Sequence, residues 1–115
     1  MNGNLLRFHV PEGQRHQGVL LWEWLLRRGC DLGARGGSAL RPIAGFGRHH
    51  VLHEQKFFEL AGSLTVEVEL LLRDQEVQQL LELLERAAIR LFYTRTQVSF
   101  GVVHPDAQDN PVSSP

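Results

Sequence analysis

A single cysteine, Cys30, among 115 residues excludes an intramolecular disulfide framework and leaves any zinc site to depend on other ligand types. A reducing, cytoplasmic setting is the matching expectation. An excess of one charge is also missing. Twelve lysines and arginines stand against 13 aspartates and glutamates, a net charge of -1, so no global field draws the chain to nucleic acid or an anionic membrane. Long hydrophobic runs are absent too: Val19 to Leu26 contains Glu23 and falls well short of the roughly 20 residues a membrane-spanning helix needs. The opening Met1-Asn2-Gly3-Asn4 has no basic region, apolar run or small-residue cleavage site, so no export signal is expected. What is left is a soluble chain of one modest core, a single domain over residues 1–103. From His104 onward the Pro, Asp, Asn and Ser content cannot support a core, and residues 104–115 are expected to form a disordered tail.

Hydrophobic periodicity divides the domain. Leu6, Phe8 and Val10 alternate with Arg7 and His9, the period-two pattern of a half-buried strand. Leu21, Leu25 and Leu32, with Trp22 and Gly29 beside them, follow helical spacing, and either Gly29 or Gly33 can supply the left-handed cap that ends the helix. Gly36 and Gly37 open a second strand through Ser38, Leu40, Ile43 and Phe46. Pro42 inside it lacks a ladder donor, which requires an edge position or a bulge.

Arg48 to Gly62 has no clean period and reads as a long loop with partly extended arms; loops of this length are usually functional or disordered. Leu64, Val66, Val68, Leu70 and Leu72 alternate with Thr65, Glu67 and Glu69, the clearest strand and one expected at the centre of a sheet. Asp74 is expected to cap a second helix, with Glu76 near its positive end and Val77, Leu80, Leu81, Leu84 and Ala88 as the buried stripe. Leu91 to Val103 is expected to hold a final strand, open to interruption near Thr94 to Thr96. The order strand, helix, strand, strand, helix, strand is that of an α+β ferredoxin-like βαββαβ sandwich, an antiparallel sheet with both helices on one face.

The segment Ala44-Gly45-Phe46-Gly47-Arg48-His49-His50 carries the most chemistry. Two glycines let backbone amides approach a ligand closely, and an arginine adds a planar donor fork suited to phosphate or carboxylate. Alone, the same pattern also describes a bulge or a plain turn.

Gly45-Phe46-Gly47-Arg48, at the end of the second strand and before a long loop, resembles the Gly-Phe-Gly-Arg that opens the large loop of PII signalling proteins. A closer resemblance is to the PII-like DUF190 family, carried by Gly18, Leu40-Arg41, Ile43 and Gly45 to Gly47, and spanning roughly residues 5–103. It implies a homotrimer with sheets facing inward and small effectors, in several relatives adenine nucleotides, held between subunits. Gly45, Gly47, Arg48 and His49 would then line the ligand cleft. The 48–62 loop, with His50, His53 and Lys56, would contact a regulated partner such as a transporter or enzyme. PII proteins also use a glycine-rich, lysine-containing loop before the last strand. The corresponding Arg86-Ala87-Ala88-Ile89-Arg90-Leu91 has no glycine, which favours a ligand with fewer phosphates than ATP, or another anion, with Arg90 and Arg95 as alternative sources of charge.

His49, His50 and His53 could ligate zinc, copper or nickel, but their spacing is not diagnostic and no acidic or thiol partner stands at a recognised distance in the sequence. A metal-binding or structural trimer resembling the copper-tolerance branch of this architecture is the alternative. Trp22 and Trp24 lie about 200° apart on a helix and cannot share one core; one is a candidate for packing between subunits. Enzymatic signatures are weak. Ser38 follows two glycines but leads into a strand, unlike a nucleophile elbow. Glu67 and Glu69 share a strand face, where charges more often face water or another subunit than form a glycosidase pair. No catalytic residue, metal site, nucleic-acid partner or membrane insertion is expected.

Overall fold

The computed structural model describes residues 1–46, 53–54 and 64–106, with the backbone alone at 53–54. Its main sheet has four antiparallel strands: β1 (Asn2–Pro11), β4 (Gly36–Leu40), β7 (Thr65–Leu72) and β8 (Phe92–Ser99). They stand in the order β4-β7-β1-β8. Leu6 faces Leu70 and Phe8 faces Val68, while His9 faces Phe92 on the other side. The centre therefore consists of β1 and β7, the two segments with the cleanest alternation. Asn4, Leu6, Phe8 and Val10 are buried, as are Val66, Val68, Leu70 and Leu72.

The helices α1 (Leu21–Leu32) and α2 (Asp74–Arg86) cover that buried face, placing Leu21, Trp24, Leu25, Val77, Leu80 and Leu84 in one core with it. Gly33 ends α1, with φ 97° and ψ 24°. The Ala34 N–H reaches Gly29 O at 2.9 Å and the Gly33 N–H reaches Cys30 O at 3.1 Å, the Schellman arrangement that a left-handed residue completes. Gly29 does not end the helix. It lies inside α1, buried against Leu70.

Several local expectations change. Asp74 is the first residue of α2 and does not cap it. Arg73 holds the cap position, and the Glu76 carboxylate accepts its backbone N–H at 2.8 Å, so the side chain three residues inward satisfies the helix start. Ala88 is exposed, outside the buried stripe, because α2 ends at Arg86 and Ala88 turns with φ 55°. The Ile89 and Ala88 N–H groups bond Leu84 O and Glu85 O, each at 3.0 Å, a second Schellman closure made without glycine. Strand β8 runs uninterrupted through Thr94 to Thr96.

The expected second strand is two strands. Leu40 ends β4, and Ala44–Gly45 forms β5, which leaves the sheet and pairs with β6 (His53–Glu54). Pro42 lies in the break, where its missing donor costs nothing.

Before α1, β2 (Arg15–His16) and β3 (Val19–Leu20) form a small hairpin. Gln17 and Gly18 at its tip have φ 53° and 82°, as a two-residue turn between twisted strands requires. Gly18 therefore belongs to this turn and α1 begins three residues later.

Candidate functional site

Three of the four sheet strands converge with the α2–β8 connection at one end of the sheet. There Leu40 faces Glu67, Pro11 faces Thr65 and His9 faces Phe92, so the 87–91 connection, including Arg90, reaches the same end as the segment leaving β4. The β5–β6 ladder, Ala44 with Glu54 and Gly45 with His53, makes the base of the long excursion between β4 and β7. Both ends of that excursion are tied to the turn after β1. The Glu12 N–H donates to Leu64 O at 2.8 Å, and the Glu12 carboxylate accepts the Arg41 guanidinium. The same turn is fixed by the Gln14 N–H on Pro11 O at 3.1 Å and by the Leu21 N–H on Gln14 O at 2.8 Å.

Gly45 is thus in an extended ladder at the excursion's base. A methyl group built on it meets nothing within 4 Å among the described residues, and its φ is not left-handed. Neither its backbone conformation nor packing among the described residues demands glycine there. Ile43 and Phe46 beside it are 80% and 65% exposed. Gly47, Arg48, His49, His50 and Lys56 lie outside the described residues, as does the side chain of His53.

The sheet face without helices carries a charged cluster. Arg7 Nε donates to Glu69 Oε1 at 2.8 Å and its terminal nitrogen bonds the same oxygen. Glu67 lies 3.8 Å from Arg7 Nε and 3.5 Å from His9 Nδ1. The bond to Glu69 holds the Arg7 guanidinium above its ordinary pKa. The paired carboxylates Glu67 and Glu69 therefore share the Arg7 guanidinium on the neighbouring strand, with the His9 ring beside Glu67, as cross-strand pairing on one face permits. Leu5, Leu71 and Val98 are half-buried on this face, and Phe92 is exposed at its edge.

At the opposite end of the sheet, a hollow of about 730 Å³ opens between the start of α2 and the end of β8, lined in part by Arg73, Asp74 and Gln97. Its lining charges are already paired, Arg73 with Glu76 and Asp74 with Arg95. Asn4 Nδ2 donates to Asp74 Oδ1 at 2.7 Å, and Arg95 donates to Asn4 Oδ1 at 2.9 Å and Asp74 Oδ1 at 3.2 Å. The Asn4 hydrogen bond, with Arg95 assisting, keeps the Asp74 carboxyl below its usual range. Arg95 is consequently turned away from the Gly45 end, while Arg90 lies at that end of the sheet, beside the edge strand opposite β4. Sequence reasoning missed Glu12 and Arg41 as a pair because 29 residues separate them; the alternation that places both beside β7 was the available signal.

Trp24 packs edge-on against His16, with ring centroids 5.0 Å apart, and lies beneath Arg28. Trp22 is partly buried, and its indole N–H has no hydrogen-bond partner among the described residues. No group of three histidine, cysteine or acidic side chains among the described residues could hold a metal ion. No described helix is long and apolar enough to cross a membrane.

A ferredoxin-like sheet with one bare face and a two-stranded excursion rising between its second and third main strands is the PII-like architecture. The chain belongs to the DUF190 family, described as "Uncharacterized ACR", which matches residues 3–100. A UPF0166 protein of Aquifex aeolicus (strain VF5) is 32% identical over 78 residues, 68% of this chain and 74% of that one. Among solved structures, CPII, a nitrogen regulatory PII-like protein from Thiomonas intermedia K12 bound to ADP, AMP and bicarbonate, superposes with a TM-score of 0.63. It is 13% identical, with 89% of this chain and 91% of that chain covered. A putative PII-like signaling protein from Thermus thermophilus gives a TM-score of 0.54 at 14% identity, covering 84% and 86% of the two chains.

Proposed function

We propose that this chain is a non-enzymatic, cytoplasmic PII-like regulatory protein. It assembles as a homotrimer through its bare sheet face, binds a small anionic effector between subunits, and controls a partner protein through the 48–62 loop. The effector class is an adenine nucleotide with fewer phosphates than ATP. Gly45, Gly47, Arg48 and His49 line the cleft, and His50, His53 and Lys56 belong to the partner-facing loop. The regulated partner is a transporter or an enzyme.

The observation that carries this reading is Gly45. It stands at the base of the excursion, in the family's Gly-Phe-Gly segment, as a glycine that no contact or backbone angle among the described residues requires. A surface kept free of a side chain suits close approach by a ligand. The ADP and AMP bound by CPII support the nucleotide class. The glycine-free 86–91 connection argues against a long polyphosphate. Leu5, Leu71 and Phe92 beside the Arg7–Glu69 ion pair support burial of the face against further copies.

Calorimetric titration with AMP, ADP, ATP and cyclic nucleotides, with and without magnesium and after chelation of carried-over metal, tests the assignment. Saturable binding near one ligand per chain, weakened in Arg48→Ala without loss of assembly, is the expected result. No binding across the panel at several temperatures overturns the nucleotide assignment. Unchanged binding by Arg48→Ala overturns the role of that residue.

A further inference from the structure

Arg41 is the only charged residue in 41–46, so it is the cationic side chain that this segment offers to an anion. Its guanidinium is already paired with Glu12. The two partners differ in how firmly they are held. Glu12 sits on a turn held by three backbone hydrogen bonds, one of them its own N–H on Leu64 O, and its side chain is 25% exposed; that of Arg41 is 59% exposed and sits on the segment that leaves the sheet.

We infer that the Arg41–Glu12 pair is a displaceable latch, in which Glu12 occupies the guanidinium until an anion of the effector takes its place and frees the base of the excursion to move. This deepens the proposed function and rests on its assignment of an anionic effector to the Gly45 end. Arg41 lies four residues before Gly45, within about 14 Å of it even along extended chain, and an arginine side chain shortens that gap. A phosphate offers the same two-oxygen geometry as the Glu12 carboxylate and more charge. An exposed ion pair contributes little to stability, so a phosphate oxygen can compete for the guanidinium without disturbing the core. Glu12 would retain its backbone bond to Leu64 after release. The β7 end would therefore stay fixed while the β4 end moves, giving the excursion a hinge at Arg41 to Ile43 rather than at both ends.

Hydrogen exchange at the Ala44 and Gly45 amides of the full-length protein reads the latch directly. It is measured in phosphate and in chloride of equal ionic strength, and separately with ADP, for the wild type, Glu12→Gln and Arg41→Ala. Phosphate should speed exchange in the wild type severalfold, to the level that Glu12→Gln shows without it, and should change neither variant. In parallel calorimetry, Glu12→Gln should bind ADP about two- to five-fold more tightly, the range expected when an exposed ion pair no longer competes. That gain should vanish in the Arg41→Ala background.

Exchange that responds to neither phosphate nor ADP, or that is identical in the wild type and Glu12→Gln, overturns the latch. ADP heat with unchanged exchange removes the latch and leaves the nucleotide reading standing. Phosphate-driven exchange without ADP heat does the reverse.

Discussion

The side chain of Leu70 fills the place where Gly29 would carry a Cβ: that atom would lie 2.7 Å from Leu70 Cδ2 and 3.0 Å from Cδ1. Leu70 is 1% exposed, and a Cβ on Gly37 of the neighbouring strand would meet the same Cδ2 at 2.8 Å. The absence of two side chains, one on α1 and one on β4, is what lets the helix lie close to the sheet. Gly29→Ala gains helix propensity but forces Leu70 out of its packed position. The expected net result is a loss of about 1–2 kcal/mol, read by urea denaturation at fixed protein concentration. A stability equal to the wild type would show that Leu70 can repack.

Ala88 performs a turn that Gly33 performs at the end of the other helix. An L-residue in the left-handed region is strained, and glycine removes that strain at some cost in unfolded-chain entropy. Ala88→Gly should stabilise the chain by about 0.5–1 kcal/mol, visible as an upward shift of the thermal midpoint by a few degrees. A lower midpoint would mean that the Leu84–Ile89 closure depends on the methyl group.

Glu76 is buried at the start of α2, and hydrogen bonds from the Arg73 guanidinium at 2.8 Å and from its backbone hold the carboxyl below its ordinary value of 4.5. A depressed carboxyl contributes stability above the unfolded-state value and loses it as pH falls through the lower folded-state value. The contribution is therefore full near neutrality and disappears on the acid side of 4.5. Glu76→Gln should cost about 1–2 kcal/mol at pH 7 and flatten the acid limb of the stability profile. Parallel acid limbs in the two proteins would assign that limb to other carboxyls, Asp74 among them.

Gly45→Ala separates fold from function. With no described residue within 4 Å of the new methyl group, stability should change by less than about 0.5 kcal/mol, while ADP affinity should fall tenfold or more if a ligand approaches the backbone there. Matched affinities would move the cleft away from Gly45.

Arg7→Glu would set a third carboxylate beside Glu67 and Glu69 on the bare sheet face. Sedimentation should then show monomers at concentrations where the wild type is assembled, with the far-ultraviolet spectrum retained. An unchanged sedimentation coefficient would show that this face is not the interface.

Much of the framework was legible along the chain because it depends on local periodicity. The alternation of Leu6-Phe8-Val10 and of Val66-Val68-Leu70-Leu72 admits one registry of buried and open faces, and the helical stripes at Leu21-Leu25 and Val77-Leu80-Leu84 match it. Pro42 marked an interruption near an edge. Its outcome, the separation of β5 from β4, depends on Ala44 and Gly45 finding partners in residues 53–54, and a hydrogen-bond ladder between two such short segments leaves no periodic trace. Asp74 shows the converse limit. It has the chemistry of a cap, but Asn4 and Arg95 bind its carboxylate and Glu76 satisfies the Arg73 N–H instead.

By itself, the amino-acid order determined the succession of the two helices and the main-sheet strands, the faces they bury, the family resemblance and the glycine-bearing segment, because each depends on residues close together in the chain. Tertiary structure alone decided that Glu12 meets Arg41, that Arg95 is spent on Asn4 and Asp74, that Leu70 occupies the space beside Gly29, and that Gly45 meets no packing demand among the described residues. The pairs among these relationships join residues from 21 to 91 positions apart. They exist only once β1 and β7 have paired at the centre of the sheet and brought their flanking turns together.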